Sequence, residues 1–342
     1  MVVGNNFAQG HYMYGPQYRE RFEEGLRRNA EQCESLQTYL VTHSLGIAFT
    51  YYFVSLLSMA LGGGTGSGVG TYVLSLLDEL YPKIYRYSVC AYPSVDNDVV
   101  TSPYNTILAT NSLIEHADCV FPIDNSALFA FHQLELATQM STAKGANKYG
   151  STSDGNTQNA NSGKNKNDKG YNEVNAIVAR MISHLTASSR FHGDMNVDMN
   201  EIYTNLIPFP KLQFLMTALS LRVKAVSSGG RGGVGVPVVG SGSDGGARGI
   251  LQRAFNDILT SRGQITAAVP TQRGCVTLAS AFLARGQRVP LSDFLGCVTS
   301  AQQQLQFPSW NPDACKVGVL CFGVVCMVML YLGGHLQHAV SW

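Results

Sequence analysis

The chain is predicted to be an α/β protein built on a parallel sheet, because strand-length apolar runs alternate with helical segments along it. In the helical segments, apolar residues recur at steps of three and four. Loops rich in glycine, aspartate and asparagine follow several predicted strands. In a parallel sheet such loops meet at the carboxyl edge, where ligands bind. The 342 residues leave room for two domains and a large buried core.

The composition limits the classes of partner. The net charge of +1 gives no electrostatic reason to expect nucleic acid or an anionic membrane. Charged residues make up 14% of the chain, below the roughly 25% usual in soluble domains, so either contacts with other chains or unusually apolar segments are expected. The eight cysteines include no Cys-x-x-Cys pair, which argues against zinc and suits reduced thiols in the cytosol. Residues 1–9 lack the pattern of a signal peptide.

The most informative stretch is Gly62 to Gly70, which reads Gly-Gly-Gly-Thr-Gly-Ser-Gly-Val-Gly. It predicts a loop and not a helix interior, because each glycine forfeits backbone entropy without adding a packing side chain. A helix with one apolar face follows and ends near Tyr81. Free N–H groups and the helix dipole at such a junction favour an anion, and Thr65 and Ser67 add hydroxyl groups. The expected ligand is therefore a phosphate.

Two common phosphate loops do not fit this stretch. No Lys-Ser or Lys-Thr follows the last glycine, as it would in a Walker A loop. Asp78 and Glu79 come too early for the ribose contact of a Rossmann fingerprint, which lies about 20 residues on. The alternative interpretation is a flexible Gly/Ser turn, and the junction with a helix argues against it.

Upstream of the glycines we predict a polar loop over Gly4 to Tyr14, a helix over Gln17 to Glu34 and a strand over Leu36 to Ser44. That strand should lead directly into the glycine loop, but the apolar residues 47–62 intervene. They are too few for a membrane span of about 20 residues, and Leu-Gly stands at both of their borders. We therefore hypothesise that this segment is a retained intron or a gene-model error.

Downstream of the glycine-loop helix, strands are predicted over Ile84 to Ala91 and Asp118 to Ile123. The helix between them opens at Ser102, a favoured N-cap residue followed by proline. Asp98 and Asn125 fall in the loops after the two strands, at the same predicted edge as the glycine loop. This shared placement is the best support from the residues themselves for a nucleotide site.

The second half of the chain is less regular. Residues 141–170 are rich in Asn, Gly, Lys and Ser and are expected to be a disordered surface insertion. The apolar helix over Tyr171 to Leu185 is expected to pass between two domains. The polar stretch over 190–201 is then predicted to be a tight loop that leads into a short helix, which stops before Pro208. His192 in that loop is more often structural than catalytic in such a setting.

Beyond Pro208 we predict strands over Lys211 to Leu221 and Cys275 to Leu283, with a final strand beginning at 307–311. Helices are predicted over 250–260 and 291–305, and residues 223–249 form a glycine-dominated loop. The uncharged residues 317–332 suit a membrane tail anchor, or a translated intron or frameshift, about as well as a genuine element of the fold.

Several motifs, in this order, resemble those of the tubulin family and are most similar to its epsilon branch. They are Gly4-Asn-Asn-Phe-Ala-Gln-Gly-His-Tyr, the glycine loop, Ser102-Pro-Tyr-Asn-Thr-Ile-Leu, Glu115-His-Ala-Asp-Cys, Ile123-Asp-Asn, Gly193-x-x-Asn-x-Asp and Thr204-Asn-Leu-Ile-Pro-Phe-Pro. The resemblance implies a Rossmann-like parallel-sheet GTPase domain over 1–190, a central helix, and a smaller α+β intermediate domain over 191–316. Residues 317–342 would be an aberrant apolar tail. The family's first strand, first phosphate loop and C-terminal helical hairpin have no counterpart in the match.

The resemblance further implies a GTP site, with Mg²⁺ bound through the nucleotide and no metal site of the protein's own. The backbone of Gly63, Gly64, Thr65, Gly66 and Ser67 would hold the phosphates, with Asn6 in a second phosphate-side loop and Asp98 beside the ribose. Asn125 and Asn175 would read the guanine edge, since a carboxamide both donates and accepts hydrogen bonds, and Tyr171 would stack on the base. ATP should be rejected, because adenine presents the opposite donor and acceptor pattern.

Glu201 stands where activating subunits of the family carry a glutamate that orients the attacking water. GTP hydrolysis would then be completed only by head-to-tail association with another tubulin. From the residues alone, without the resemblance, the favoured interpretation of Glu201 is a first-turn carboxylate that stabilises its own helix. The implied setting is the cytoplasm and its cytoskeleton, at the centrosome, centrioles or basal bodies, with centriolar or basal-body proteins as further partners. A soluble Rossmann-type enzyme and a non-functional fragment are the competing interpretations.

Overall fold

The structure is a computed structural model that describes residues 4–42, 54–57, 61–93, 99–146, 166–191, 193, 195–221, 247–266, 269–271, 275–286, 290–320 and 326–335. Its helices are α1 (Gly15–Gln17), α2 (Arg19–Glu31), α3 (Gly70–Leu80), α4 (Ser102–His116), α5 (Asn125–Ala146), α6 (Lys166–Leu185), α7 (Met199–Leu206), α8 (Ala247–Leu259) and α9 (Leu291–Gln304). Its strands are β1 (Thr38–Thr42), β2 (Val54–Leu57), β3 (Tyr85–Tyr92), β4 (Cys119–Asp124), β5 (Met216–Leu219), β6 (Cys275–Arg285), β7 (Cys315–Leu320) and β8 (Cys326–His335).

The first sheet is parallel throughout and has the strand order β2-β1-β3-β4. This confirms the predicted parallel α/β sheet, in which α3 joins β2 to β3 and α4 joins β3 to β4. Residues 47–62, which we suspected of being a gene-model error, supply β2 and the fully buried Leu61. β2 pairs with β1 from Thr38 opposite Val54 to Val41 opposite Leu57. Its residues 54–57 are thus part of the sheet, and the origin of the segment in the transcript stays a hypothesis.

The second sheet is mixed and has the order β5-β8-β6-β7. β8 lies between β5 and β6 and runs antiparallel to both, whereas β6 and β7 are parallel. The described parts of the apolar segment 317–342 therefore lie in two strands and not in a separate tail. Val328 to Leu332 of β8 are at most 5% exposed, so this central strand is buried on both faces, which accounts for an uncharged run. In the part of the chain that the structure describes, no helix is long and apolar enough to cross a membrane.

One hydrophobic cluster joins the two sheets through α6. Val174, Ile177, Met181 and Leu185 of this helix are buried in it. The same cluster contains buried side chains of β1, β3 and β4 from the first sheet and of β5, β6 and β8 from the second. α6 also packs against α5, where the guanidinium of Arg180 forms a buried ion pair of 2.7 Å with Glu135. Residues of the first sheet and of the second therefore share a core around α6.

Several predicted boundaries were wrong. Residues 307–311 do not begin a strand; they form a turn closed by a hydrogen bond from the Asn311 amide to the Pro308 carbonyl, and β7 begins only at Cys315. β5 covers four residues of the predicted strand over Lys211 to Leu221. Two predicted loops also contain π-helical segments, Gln9–Tyr14 before α1 and Thr65–Val69 before α3. The two segments pack closely against each other, which requires glycine where their backbones meet.

Candidate functional site

The glycine stretch is wound into the start of α3. The π-helical segment Thr65–Val69 has Gly64 at its N-cap and continues without a break into α3. The expectation of a loop was therefore wrong for residues 65–69, although the predicted junction between the glycines and a helix N-terminus is observed. The first amides of a helix have no intrahelical acceptor, and the helix dipole concentrates partial positive charge there. Both effects favour an anion in front of Gly64.

Glycine is required at this junction because a second backbone segment crosses it closely. A Cβ added to Gly64 would meet Gly4 O at 2.1 Å, and one added to Gly68 would meet Phe7 O at 2.4 Å. A Cβ on Gly10 would in turn meet Gly64 O at 2.4 Å. These separations are far below van der Waals contact, so residues 4–10 and 64–68 pack backbone against backbone. The loop that carries Asn6 and the glycine segment are thereby brought together.

Gly63 differs from its neighbours because its Cβ direction is open. Among the described atoms, a Cβ there would find only the side-chain oxygen of Asn5, at 3.9 Å. Thr65 is exposed on the same segment. Ser67, in contrast, is fully buried, and its hydroxyl and its amide both donate to the Gly63 carbonyl. The backbone at Gly63 is therefore open on its Cβ side, while the Ser67 hydroxyl is already used within the protein.

Asn6 lies beside the glycine segment. Its backbone amide is 2.6 Å from the position of a Cβ on Gly64. Its side-chain oxygen accepts a hydrogen bond of 2.9 Å from the Ala8 amide and so caps the π-helical turn that follows. Within the described residues, the hydrogen bonds of the Asn6 side chain are formed by its oxygen, and the residue is exposed. Its assignment to the phosphate side stays a prediction.

Asn105, in the first turn of α4, was missed by the sequence analysis. Its side chain is buried, and its oxygen accepts a hydrogen bond of 3.0 Å from the Phe7 amide. Its nitrogen donates to the carbonyls of Asn5 and Gly62, both at 3.2 Å. One carboxamide therefore contacts the Asn6 loop and the glycine segment together. The residue belongs to the Ser-Pro-Tyr-Asn motif of the resemblance, which is the signal that could have found it.

The predicted guanine-reading residues lie on two helices in contact. Asn125 is the first residue of α5, at the carboxyl end of β4, and Asn175 lies on α6, which packs against α5. Asp124 caps α5 through a hydrogen bond of 2.9 Å from the Ser126 amide to its carboxylate. Asp98 and the side chain of Tyr171 lie outside the described parts of the structure. The roles of all four predicted residues remain predictions.

Glu201 lies in the first turn of α7, near the amino edge of the first sheet. Its carboxylate forms an ion pair of 2.9 Å with the Lys316 ammonium of β7. α7 packs at the amino end of β3, where the Tyr203 ring lies 4.6 Å from that of Tyr85 and the Tyr87 hydroxyl donates to the Met199 carbonyl. The glycine segment lies at the opposite, carboxyl edge of this sheet.

A polar cluster around the buried Arg86 lies at the amino edge and gives a scale for the separation. Arg86 of β3 binds both Asp78, near the end of α3, and Asp118, just before β4. Burial raises the pKa of the Asp78 carboxyl, but hydrogen bonds from His116 and Arg86 outweigh it and leave the pKa lowered. α3 extends about 16 Å from the glycine segment to this cluster at 1.5 Å per residue. Since α7 packs beside the cluster, Glu201 lies on the order of 20 Å from the glycine segment.

A metal site made by the protein is not evident in the described ranges. They contain no group of three or more His, Cys, Asp or Glu side chains that could hold a metal ion. Mg²⁺ bound through a nucleotide would take its ligands mainly from phosphate oxygens and water. The carboxyl edge presents a helix N-terminus with a second loop packed beside it.

Comparison with known families places this region in the GTPase-domain class of the tubulin and FtsZ proteins. Residues 52–133, which include the glycine segment, α3, β3, α4 and β4, match the model of the Tubulin/FtsZ family, GTPase domain. Together with the relatives below, this match shows that the chain belongs to the tubulin family and has its α/β fold.

Individual relatives point to one branch. The chain is 36% identical over 319 residues to the tubulin epsilon chain of Mus musculus and 34% identical to that of Homo sapiens, each match covering 92% of this chain and 59% of the relative. It is 28% identical to the tubulin alpha-1 chain of Emericella nidulans, over 93% of this chain and 57% of that relative. The chain thus spans somewhat more than half the length of these relatives.

Proposed function

We propose that the chain is a GTP-binding tubulin-like subunit that acts in microtubule-based processes. The phosphates bind the backbone of Gly63 to Ser67 at the start of α3, beside the loop that carries Asn6. The observation that supports this most is the open Cβ direction of Gly63, next to glycines whose Cβ directions are blocked by backbone. A helix N-terminus with an open glycine in front of it suits a phosphate, since the phosphate reaches the amides without meeting a side chain.

The guanine base occupies the side of the site formed by α5 and α6 in this proposal. Asn125 and Asn175 read its edge, Tyr171 stacks on it, and Asp98 lies on the ribose side. The contact between α5 and α6 supports this assignment, because it keeps the two carboxamide-bearing helices together. A carboxamide held in one orientation donates to O6 and accepts from N1–H of guanine, whereas adenine presents a donor at N6 and an acceptor at N1 and is mismatched in that orientation. Mg²⁺ accompanies the nucleotide and is held through its phosphates.

Hydrolysis is proposed to need a second subunit. Glu201 is on the order of 20 Å from the glycine segment of its own chain, at the opposite edge of the sheet, so it is too far away to orient water at its own nucleotide. Glu201 is also partly exposed and lies beside Lys316. In a head-to-tail contact, the α7 edge of one subunit meets the glycine edge of the next, and Glu201 orients the water that attacks the neighbouring γ-phosphate.

The proposed setting follows the relatives named epsilon chains. The chain acts in the cytoplasm as a component of the microtubule cytoskeleton, at the centrosome, centrioles or basal bodies and hence in the assembly of cilia. Its partners are other tubulins, in head-to-tail contacts, and centriolar or basal-body proteins. The chain divides in this proposal into a GTP-binding domain up to residue 190 and an intermediate domain from residue 191.

The first test is nucleotide selectivity. Equilibrium binding of GTP, ATP and NAD to the purified chain is measured, with Glu201→Ala as the second variant. GTP is expected to bind at least ten-fold more tightly than ATP, since mismatched polar groups in a buried site cost about 1–3 kcal/mol each. Glu201→Ala should bind GTP as the unmodified chain does and lose assembly-dependent hydrolysis. Preference for ATP or NAD would indicate a nucleotide-dependent enzyme, and lost GTP binding in Glu201→Ala would contradict the role across subunits.

A further inference from the structure

The buried Asn105 carboxamide joins three separate stretches of the chain. It projects from the first turn of α4 and bonds to Phe7, 98 residues earlier, and to Gly62, 43 residues earlier. Its third bond goes to the Asn5 carbonyl. Only 3% of the residue is exposed. Both of its N–H groups donate once each, and its oxygen accepts once through one of its two lone pairs.

The identity of the side chain at this position follows from its partners. The Phe7 amide needs an acceptor, while the Asn5 and Gly62 carbonyls need donors. Aspartate offers no donor to the two carbonyls, and an aliphatic side chain of the same size offers neither function. The Asn5 carbonyl also accepts a hydrogen bond of 2.7 Å from the Thr101 hydroxyl, just before α4 begins. The start of α4 is therefore the structural element that ties the Asn6 loop to the glycine segment.

We propose that Asn105 is a positioning residue for phosphate binding, which sets the spacing between the Asn6 loop and the glycine segment. The inference rests on the proposed function, since it assumes that the phosphates bind between these two segments. Asn105 touches no phosphate itself. It holds Gly62, which precedes the open Gly63, in register with Asn5 and Phe7 on either side of Asn6. A small displacement of either segment misaligns the amides that face the phosphates and weakens binding.

The test compares two buried carboxamide side chains that form hydrogen bonds at opposite ends of α4: Asn105 at its start and Gln213 at its end. Asn105→Ala removes the contacts at the start of α4. Gln213→Ala is the matched control, because its buried side chain donates to the Leu113 and Ala117 carbonyls, both at 2.9 Å, at the end of α4. Both variants lose several buried hydrogen bonds, so both should unfold at a lower temperature. GTP affinity is measured well below both unfolding temperatures, where each protein is folded.

Asn105→Ala is expected to bind GTP at least about ten-fold more weakly than the unmodified chain, and Gln213→Ala within about two-fold of it. Equal GTP affinities for the two variants would overturn the positioning role and leave the proposed function intact. If the unmodified chain binds no GTP, the proposed function fails, and this inference fails with it. Should Asn105→Ala not fold, Thr101→Val replaces it, since this exposed residue loses only its bond to Asn5 and is expected to weaken GTP binding about three-fold. An unchanged affinity in Thr101→Val would then count against the inference.

Discussion

Replacing Gly63 with alanine is the most selective perturbation of the glycine segment. Its backbone is outside the left-handed region, so alanine can adopt the same conformation. A Cβ at this position meets no described atom closer than 3.9 Å. The free energy of unfolding without nucleotide should therefore change by less than about 0.5 kcal/mol. If the free energy of GTP binding changes by more than this amount, the change reflects the contact with the nucleotide and not the stability of the fold.

The expected loss of affinity follows from the bonds that the Cβ would break. Hydrogen bonds to a charged group contribute about 1.5–3 kcal/mol each. If the new methyl group holds the phosphate away from one backbone amide, GTP affinity falls by about 10- to 150-fold, at 1.4 kcal/mol per factor of ten. Titration with a fluorescent GTP analogue measures the affinity, and thermal unfolding of the same samples measures the stability.

Gly25→Ala provides the matched control. Gly25 lies within α2, where an added Cβ also meets nothing within 4 Å. Alanine there should stabilise the helix by up to about 1 kcal/mol and leave GTP affinity unchanged. If Gly63→Ala binds GTP as tightly as Gly25→Ala, the phosphate does not approach Gly63, and the assignment of the site to the glycine segment is wrong.

Three further outcomes follow from the packing and charges. Gly68→Ala should lower the free energy of unfolding by about 1–3 kcal/mol, because its Cβ would meet Phe7 O at 2.4 Å; an unchanged midpoint in urea would contradict this close packing. Burial lowers the pKa of His11 below its ordinary value of 6.5, so the unfolded chain binds more protons and stability is lost as the pH falls below about 6.5. His11→Asn should lose less stability than the unmodified chain between pH 7 and 5, and parallel curves would refute this. Lys316→Gln should change the free energy of unfolding by less than about 1 kcal/mol, since Lys316 and its partner Glu201 are 34% and 47% exposed; a larger loss in chemical denaturation would show that the pair is structural.

The parallel sheet was predictable because its pattern is local. Strand-length apolar runs and helical periodicity each extend over one element, and α3, β3 and α4 were found close to their observed positions. β8 was not predictable in this way. Its uncharged residues suit a buried strand and an apolar helix alike, and only pairing with β6, and with β5 more than 100 residues earlier, selects the strand. Long-range pairing of this kind leaves no signal in the segment itself.

In the candidate site, too, the features with a local sequence pattern were predictable and those that depend on long-range contacts were not. The glycine segment was identified because glycine, threonine and serine before a helix have a chemical reason to be together. Its π-helical start was not predicted, because the close approach of Gly10 and Gly68 depends on two segments far apart in the chain. Asn105 was missed for the same reason, since an asparagine in a first helical turn looks like an ordinary polar residue until its partners at Phe7 and Gly62 are known.

The role of Glu201 across subunits is tested most directly by the rate of GTP hydrolysis per subunit as the subunit concentration is raised. The measurement is made at saturating GTP, with and without added tubulin, on the unmodified chain and on Glu201→Ala. If Glu201 acts on the neighbouring nucleotide, the rate per subunit should rise with concentration for the unmodified chain and stay flat for Glu201→Ala. A rate per subunit that is measurable but independent of concentration, and unchanged by Glu201→Ala, would contradict the proposal.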